Sequence, residues 1–129
     1  MALTDHSHIL VTTFDAEGAT ESSVEWVVGL PDDRIGFWTP DITGWQTRLA
    51  VSPVVTIQAC NSRGRVIRAE PLLEGRAELE YEGLVFEQLK KATHDKYGFK
   101  ASLAGLVDKA KEISGPDTPE GGVVFNIVG

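Results

Sequence analysis

The sequence predicts a mainly β (α+β) fold: a small barrel of about six strands with a short turn helix and a late helix pair. Three observations carry this. Segments rich in Val, Ile, Thr and aromatic residues recur between turn signals. One short helical stretch interrupts them after Pro40, and sustained helical periodicity begins only after Glu82. Strands that follow one another with no long helix between them argue against alternating βαβ units and for a small barrel. At 129 residues the chain fits a single domain, 1–129.

The first strand lies in "HSHILVTTFD", where Ile9, Val11 and Thr13 alternate with Leu10, Thr12 and Phe14. "AEG" at Ala16 to Gly18 turns the chain into "ATESSVEWVVGL", a second strand with Ser22, Val24, Trp26 and Val28 on one face. Pro31 to Asp33 form the next turn, and "RIGFWTP" is a third strand ending at Pro40. A helical turn spans Thr43 to Ser52, with Thr43 as its cap and Leu49 and Val51 toward the core; Pro53 stops it. "VVTIQAC" is a central strand covered on both faces, and "NSRGR" is a loop with Gly64 where φ is positive. Arg65 to Tyr81 read as one long strand bent at Pro71. Val85, Leu89, Ala92 and Lys96, with Phe86 and Tyr97 beside them, define a helix, and Phe99, Leu103, Leu106, Val107 and Ala110 a second one. The breaker-rich loop "SGPDTPEGG" leads to a last strand, "VVFNIVG".

Charge narrows the function. With 12 basic and 19 acidic residues the net charge is −7, which opposes general binding to nucleic acid or to an anionic membrane. No apolar run reaches membrane-span length and no basic-then-apolar leader is present, so a soluble, unprocessed, cytoplasmic chain is expected. Cys60 is the one cysteine, so it forms no internal disulfide; it reads as a small buried hydrophobe at the end of an apolar strand. His6 and His8 lack a third ligand, and no metal is expected. His94 and Asp95 are adjacent on a helix and point in different directions. A Ser-His-Asp order, a Walker loop and GxGxxG are all missing, which leaves chemistry carried by a cofactor as the enzymatic option.

The stretch "FWTPDITGWQTRLAVSP" holds the most informative residues. A strand running into a helical turn is a place to hold phosphate through backbone N–H groups and a nearby cation. Arg48 reads either as a solvated charge or as that cation. Trp45 reads either as a core or dimer anchor or as a ring-stacking platform. Thr39, Thr43 and Thr47 add hydroxyl donors.

"LVTTFDAEG", "FWTPDITGWQTRLAVSPVVTIQAC", "NSRGRV", "LLEGRAEL" and "KYGF", in this order and spacing, resemble the pyridoxamine 5'-phosphate oxidase-like split β-barrel family, and within it the branch of coenzyme F420-dependent oxidoreductases. The resemblance covers about His8 to Val128. It implies a homodimer with two cofactor sites at the subunit interface, with the cofactor phosphate near the turn helix. It further implies hydride transfer from reduced deazaflavin to a conjugated small molecule. The cofactor-binding positions carried over are Ser23, Glu25, Thr39, Trp45, Thr47, Arg48, Gln58, Cys60, Asn61, Arg63 and Arg65, with Arg48 on phosphate and Arg63 or Arg65 on the anionic tail. No catalytic residue is assigned; the proton comes from solvent or from Glu25.

The sequence also departs from that branch. Trp45 and Thr47 stand where similar proteins carry lysines, and Ser23 and Glu25 replace a Pro and a Trp. Weak, salt-sensitive affinity for coenzyme F420 is therefore expected, as is a dimer interface that includes Trp26, Trp38 or Trp45. If Arg48 contacts phosphate, its removal should spare the fold. Two alternatives stay open: an FMN-binding flavoprotein, and a non-catalytic dimer that binds a cofactor or pigment.

Overall fold

The computed structural model describes residues 3–97 and 119–128. After a 3-10 turn, Leu3–Asp5, come β1 (His8–Phe14), β2 (Thr20–Trp26), β3 (Val28–Gly29), β4 (Ile35–Thr39) and α1 (Thr43–Val51). Then follow β5 (Val54–Cys60), β6 (Leu73–Glu80), α2 (Leu84–Tyr97) and β7 (Gly121–Val128). The seven strands form one sheet in the order β2-β1-β5-β6-β7-β4-β3, every pair antiparallel. This is the predicted mainly β architecture with one strand more than expected.

The extra strand comes from closure. β2 and β3 are opposite edges of the sheet, yet only Val27 separates them in the chain. The segment read from sequence as one strand therefore pairs with β1 at one end and β4 at the other, and it curls the sheet into a barrel. At the crossing, the Val27 carbonyl receives the Lys96 Nζ at 2.8 Å and the Tyr97 hydroxyl at 2.6 Å.

Period-two alternation fixes the inside. In β1, Ile9, Val11 and Thr13 are buried; they face Ala59, Ile57 and Val55 of β5 and Glu25, Ser23 and Glu21 of β2. Phe37, Ile42, Trp45, Ala77, Val123 and Phe125 complete this interior core. A second core, Val28, Leu30, Leu89, Tyr97 and Val124, lies where α2 packs on the outer face of β3, β4 and β7. Two glycines permit that approach: a Cβ on Gly36 would press on Leu89 Cδ2 at 3.0 Å, and one on Gly122 would collide with Leu89 Cδ1.

Three local expectations are corrected. Arg65 to Tyr81 is not one strand: β6 begins at Leu73, and residues 61–72 form a loop with one isolated bridge, Cys60 to Val66. Pro71, which has no N–H to give a ladder, ends the loop. In α1 the core-facing residue is Trp45, 5% exposed, while Val51 is 54% exposed; Leu49 packs on the core as expected. Thr43 is not the cap. Ile42 occupies that position without a capping side chain, and the Asp41 carboxylate takes the Thr43 N–H at 3.0 Å and the Thr43 hydroxyl at 2.6 Å. The second predicted late helix, from Phe99 to Ala110, lies outside the described residues. Among the described residues no helix is long and apolar enough to cross a membrane.

Candidate functional site

The inner face of β2 and the underside of α1 meet around Arg48. Its side chain is 9% exposed and lies with the guanidinium carbon 3.9 Å from the centre of the Trp45 ring. Nε donates to Thr13 Oγ1 at 2.9 Å, and Nη1 to Ser23 Oγ at 3.0 Å. Nη2 donates to the Glu21 carbonyl at 2.9 Å and the Val11 carbonyl at 3.5 Å. The Glu21 carboxylate stands 3.5 Å from Nε. A planar fork of five N–H donors is thus largely consumed by the chain itself.

Strand periodicity explains the convergence. Glu21, Ser23 and Glu25 alternate along β2 and share one face, with the Glu21 side chain at its exposed rim. Burial pushes the Glu25 carboxyl up to about 7, opposed by a hydrogen bond from the Ser23 hydroxyl and by the charge of Arg48. Burial pushes Arg48 down, opposed by Glu21 and Glu25. Beside this cluster a cavity of about 250 Å³ is lined by Thr13, Phe14, Asp15, Glu21, Thr47 and Arg48, among others.

Sequence-predicted residues fall into two groups. Arg48 meets Ser23 directly and shares the cavity wall with Thr47, while Glu25 lies two residues further along the same face of β2. Trp45 is behind them in the core, its ring 5.0 Å from that of Phe37, so in this chain it offers no open face for a cofactor or a partner subunit. Thr39 spends its hydroxyl on the Asp41 carbonyl at 3.1 Å, holding the entry to α1. The Thr47 hydroxyl reaches the Thr43 carbonyl at 3.4 Å.

The remaining predicted residues lie on the opposite face of the sheet or in the loop beyond it. Gln58 and Cys60 of β5 pair with Leu10 and His8 of β1, which alternate with the inward residues. Gln58 Nε2 donates to the Glu70 carbonyl at 3.1 Å. Cys60 is buried, and burial pushes its thiol up, away from the thiolate. Asn61 Oδ1 accepts the N–H groups of Arg63 at 2.9 Å and Arg65 at 3.0 Å, which folds the loop and leaves both arginines exposed beside Arg68. Gly64, at φ 83°, sits at the tip of this loop against Val24 and Leu10.

Sequence reasoning missed Thr13 and Glu21 as partners of Arg48, and Arg68 as the third loop cation. The alternation Glu21, Ser23, Glu25 on one strand face was a signal for the first pair, once an arginine was placed across from it.

Phosphate fits poorly at α1. Asp41 already fills the anion position of the helix N-terminus, Asp15 and Glu21 line the adjoining cavity, and the Arg48 donors are occupied. Arg63, Arg65 and Arg68 are exposed on one loop.

No protein-family model and no curated protein sequence matches the chain. Solved structures do. The conserved hypothetical protein Rv2991 from Mycobacterium tuberculosis is similar at 15% identity and a TM-score of 0.66, over 97% of this chain and 75% of that one. A pyridoxamine 5'-phosphate oxidase-related, FMN binding protein from Nostoc punctiforme is similar at 15% identity and a TM-score of 0.59, over 95% and 71%. The chain has the pyridoxamine 5'-phosphate oxidase-like split-barrel fold. The same split barrel is found in HutZ, the heme storage protein from Vibrio cholerae, at 14% identity and a TM-score of 0.60 over 98% and 85%. At such identities the shared property is the fold, which hosts both a flavin binder and a heme storage protein.

Proposed function

We propose that this split barrel is a coenzyme F420-dependent oxidoreductase acting as a homodimer. The observation that supports this reading is the division of the predicted site residues between the two faces of β1. The inner set, around Thr47, Arg48 and the cavity beside α1, suits an uncharged ring; the loop arginines Arg63, Arg65 and Arg68 suit an anionic tail. One copy holds these sets on opposite faces, and a two-fold dimer is the simplest assembly in which the loop of one subunit serves the cavity of the other. When bound, reduced deazaflavin supplies a hydride to a conjugated small molecule.

The chain's own part is to bind, orient and supply a proton. Phe14 and Val51 give the cavity apolar wall, and Thr13 and Thr47 give it hydroxyls. The proton that completes the reduction comes from solvent or from Glu25, whose carboxyl burial raises to about 7. Fluorescence titration with coenzyme F420 and separately with FMN, at low and high salt, tests the cofactor, and sedimentation tests the dimer. Saturable binding of coenzyme F420 that weakens with salt, by a dimer, is the expected result. A micromolar monomer, or binding of neither compound, defeats the proposal.

A second reading is favoured by the closure of α1 to phosphate: a non-catalytic dimer that holds a less anionic cofactor or a pigment. Binding without turnover of any F420-reducible substrate, or retention of FMN through purification, would favour it or the flavoprotein form.

A further inference from the structure

We infer that residues 3–7 form a strap that couples the seam of the barrel at Val27 to the loop of Arg63, Arg65 and Arg68, with His6 as the joint between them. The seam end of the strap is fixed through backbone carbonyls. Lys96 Nζ, in the last turn of α2, donates to the Thr4 carbonyl at 3.0 Å, the His6 carbonyl at 2.6 Å and the Val27 carbonyl at 2.8 Å, so its three N–H donors are all used. The Tyr97 hydroxyl lies between the Ser7 and Val27 carbonyls, at 2.8 and 2.6 Å. Leu3 is buried in the interior core, and Gly29 of β3 leaves room for Thr4, since a Cβ there would meet Thr4 Cγ2 at 3.1 Å.

The other end of the strap is a side chain. His6 Nε2 stands 3.5 Å from Glu70 Oε1, and the two side chains are 15% and 9% exposed. Nε2 makes no hydrogen bond among the described residues, so the ring is held at the carboxylate by its own backbone, which Lys96 anchors. Glu70 belongs to the loop that carries the arginines, and that loop is tied to β5. The Glu70 N–H donates to the Ile67 carbonyl at 3.0 Å, the Ile67 N–H to the Ala59 carbonyl at 2.9 Å, and Gln58 Nε2 to the Glu70 carbonyl at 3.1 Å. A carboxylate buried this far is costly without a polar partner. While the strap is seated, the imidazole supplies one. Once the ring moves away Glu70 must reach water, and the loop has to lift from β5 to let it. Lys96 thereby controls a loop that it does not touch. That the loop arginines take an anionic ligand rests on the function proposed above; the coupling itself does not.

Amide hydrogen exchange of the full chain at fixed pH, read by NMR at Gly64, Ile67 and Glu70, tests the coupling without any cofactor. His6→Ala removes the ring, and Lys96→Gln loosens the strap without altering the loop. Each should speed exchange at these three amides about tenfold relative to Val124 of β7. Adding Glu70→Gln to either variant should return exchange to within about twofold of wild type, because a neutral amide tolerates a site that a lone carboxylate does not. His6→Ala alters one side chain and carries the test should Lys96→Gln fail to fold. Wild-type exchange at the three amides in His6→Ala, or in a folded Lys96→Gln, overturns the inference. So does fast exchange that persists once Glu70 is replaced. Failure of coenzyme F420 to bind the wild-type protein, with exchange behaving as expected, defeats the proposed activity and leaves the strap standing.

Discussion

Arg48 and the Arg63–Arg65–Arg68 loop set the same side chain in opposite surroundings. The Arg48 side chain is mostly buried at the cavity wall, stacked on Trp45, and hydrogen-bonded to Thr13, Ser23 and two carbonyls. The loop arginines are exposed, and the hydrogen bonds that shape their loop come from Asn61 and the backbone. A guanidinium already satisfied by its own chain holds structure together, whereas a solvated one is available to a ligand at the cost of screening by salt. A cation in a motif is not yet a binding site; what matters is which of its donors are free.

Breaking the buried side should have the largest effect. Arg48→Ala strips partners from Ser23 and Thr13 and leaves the acids of β2 without their counter-charge, so urea unfolding should show a loss of about 3 kcal/mol. This reverses the expectation from sequence that the fold would be spared. An unchanged urea midpoint combined with lost ligand binding would return Arg48 to the surface and erase the comparison.

The acid that Arg48 faces should show up as pH dependence. Glu25 is raised to about 7 from an unfolded value near 4.5. Between those values the folded chain holds a proton that the unfolded chain releases, so stability declines as pH rises through the window. Glu25→Gln removes that decline. It should stabilise the protein at pH 8 by at most about 3 kcal/mol and by little at pH 4, as read from thermal melts across pH. Equal effects at both pH values would mean that the carboxyl titrates normally.

On the exposed side, replacing Arg63, Arg65 and Arg68 together with Ala should leave the melting temperature almost unchanged. Affinity for coenzyme F420 should fall about tenfold at low salt, since three exposed charges contribute about 0.5 kcal/mol each. Above 0.5 M salt, wild type and variant should converge. A variant that binds like wild type at low salt would remove the loop from the site.

The smallest effect sharpens the contrast at α1. Thr47→Lys places a new cation on the exposed side of the helix, beside Asp15 and Glu21 in the cavity wall. Stability should change by less than about 0.5 kcal/mol, and phosphate should gain little, because the two carboxylates compete for the ammonium. A large gain in affinity from this one lysine would show that α1 still accepts phosphate.

Much of this protein was written into its sequence. Alternation in "ILVTTF" divided β1 into its two faces, and helical spacing after Glu82 marked α2. Composition set a net charge of −7. These features are local, repeating the two- and 3.6-residue periods of the backbone, and so need no knowledge of distant contacts. Only the tertiary structure decided that "ATESSVEWVVGL" divides at Val27 to join the two edges of the sheet, since that depends on closure of the whole barrel. It likewise decided that Trp45 belongs to the core and that Arg48 faces Ser23 and Glu21, from which it is separated by more than twenty residues of chain. In "GWQTRLA" Trp45 and Arg48 are three positions apart and share a helix face whatever lies opposite; it is β2, carried there by the curl of the sheet, that turns that face from a phosphate cradle into a clasp.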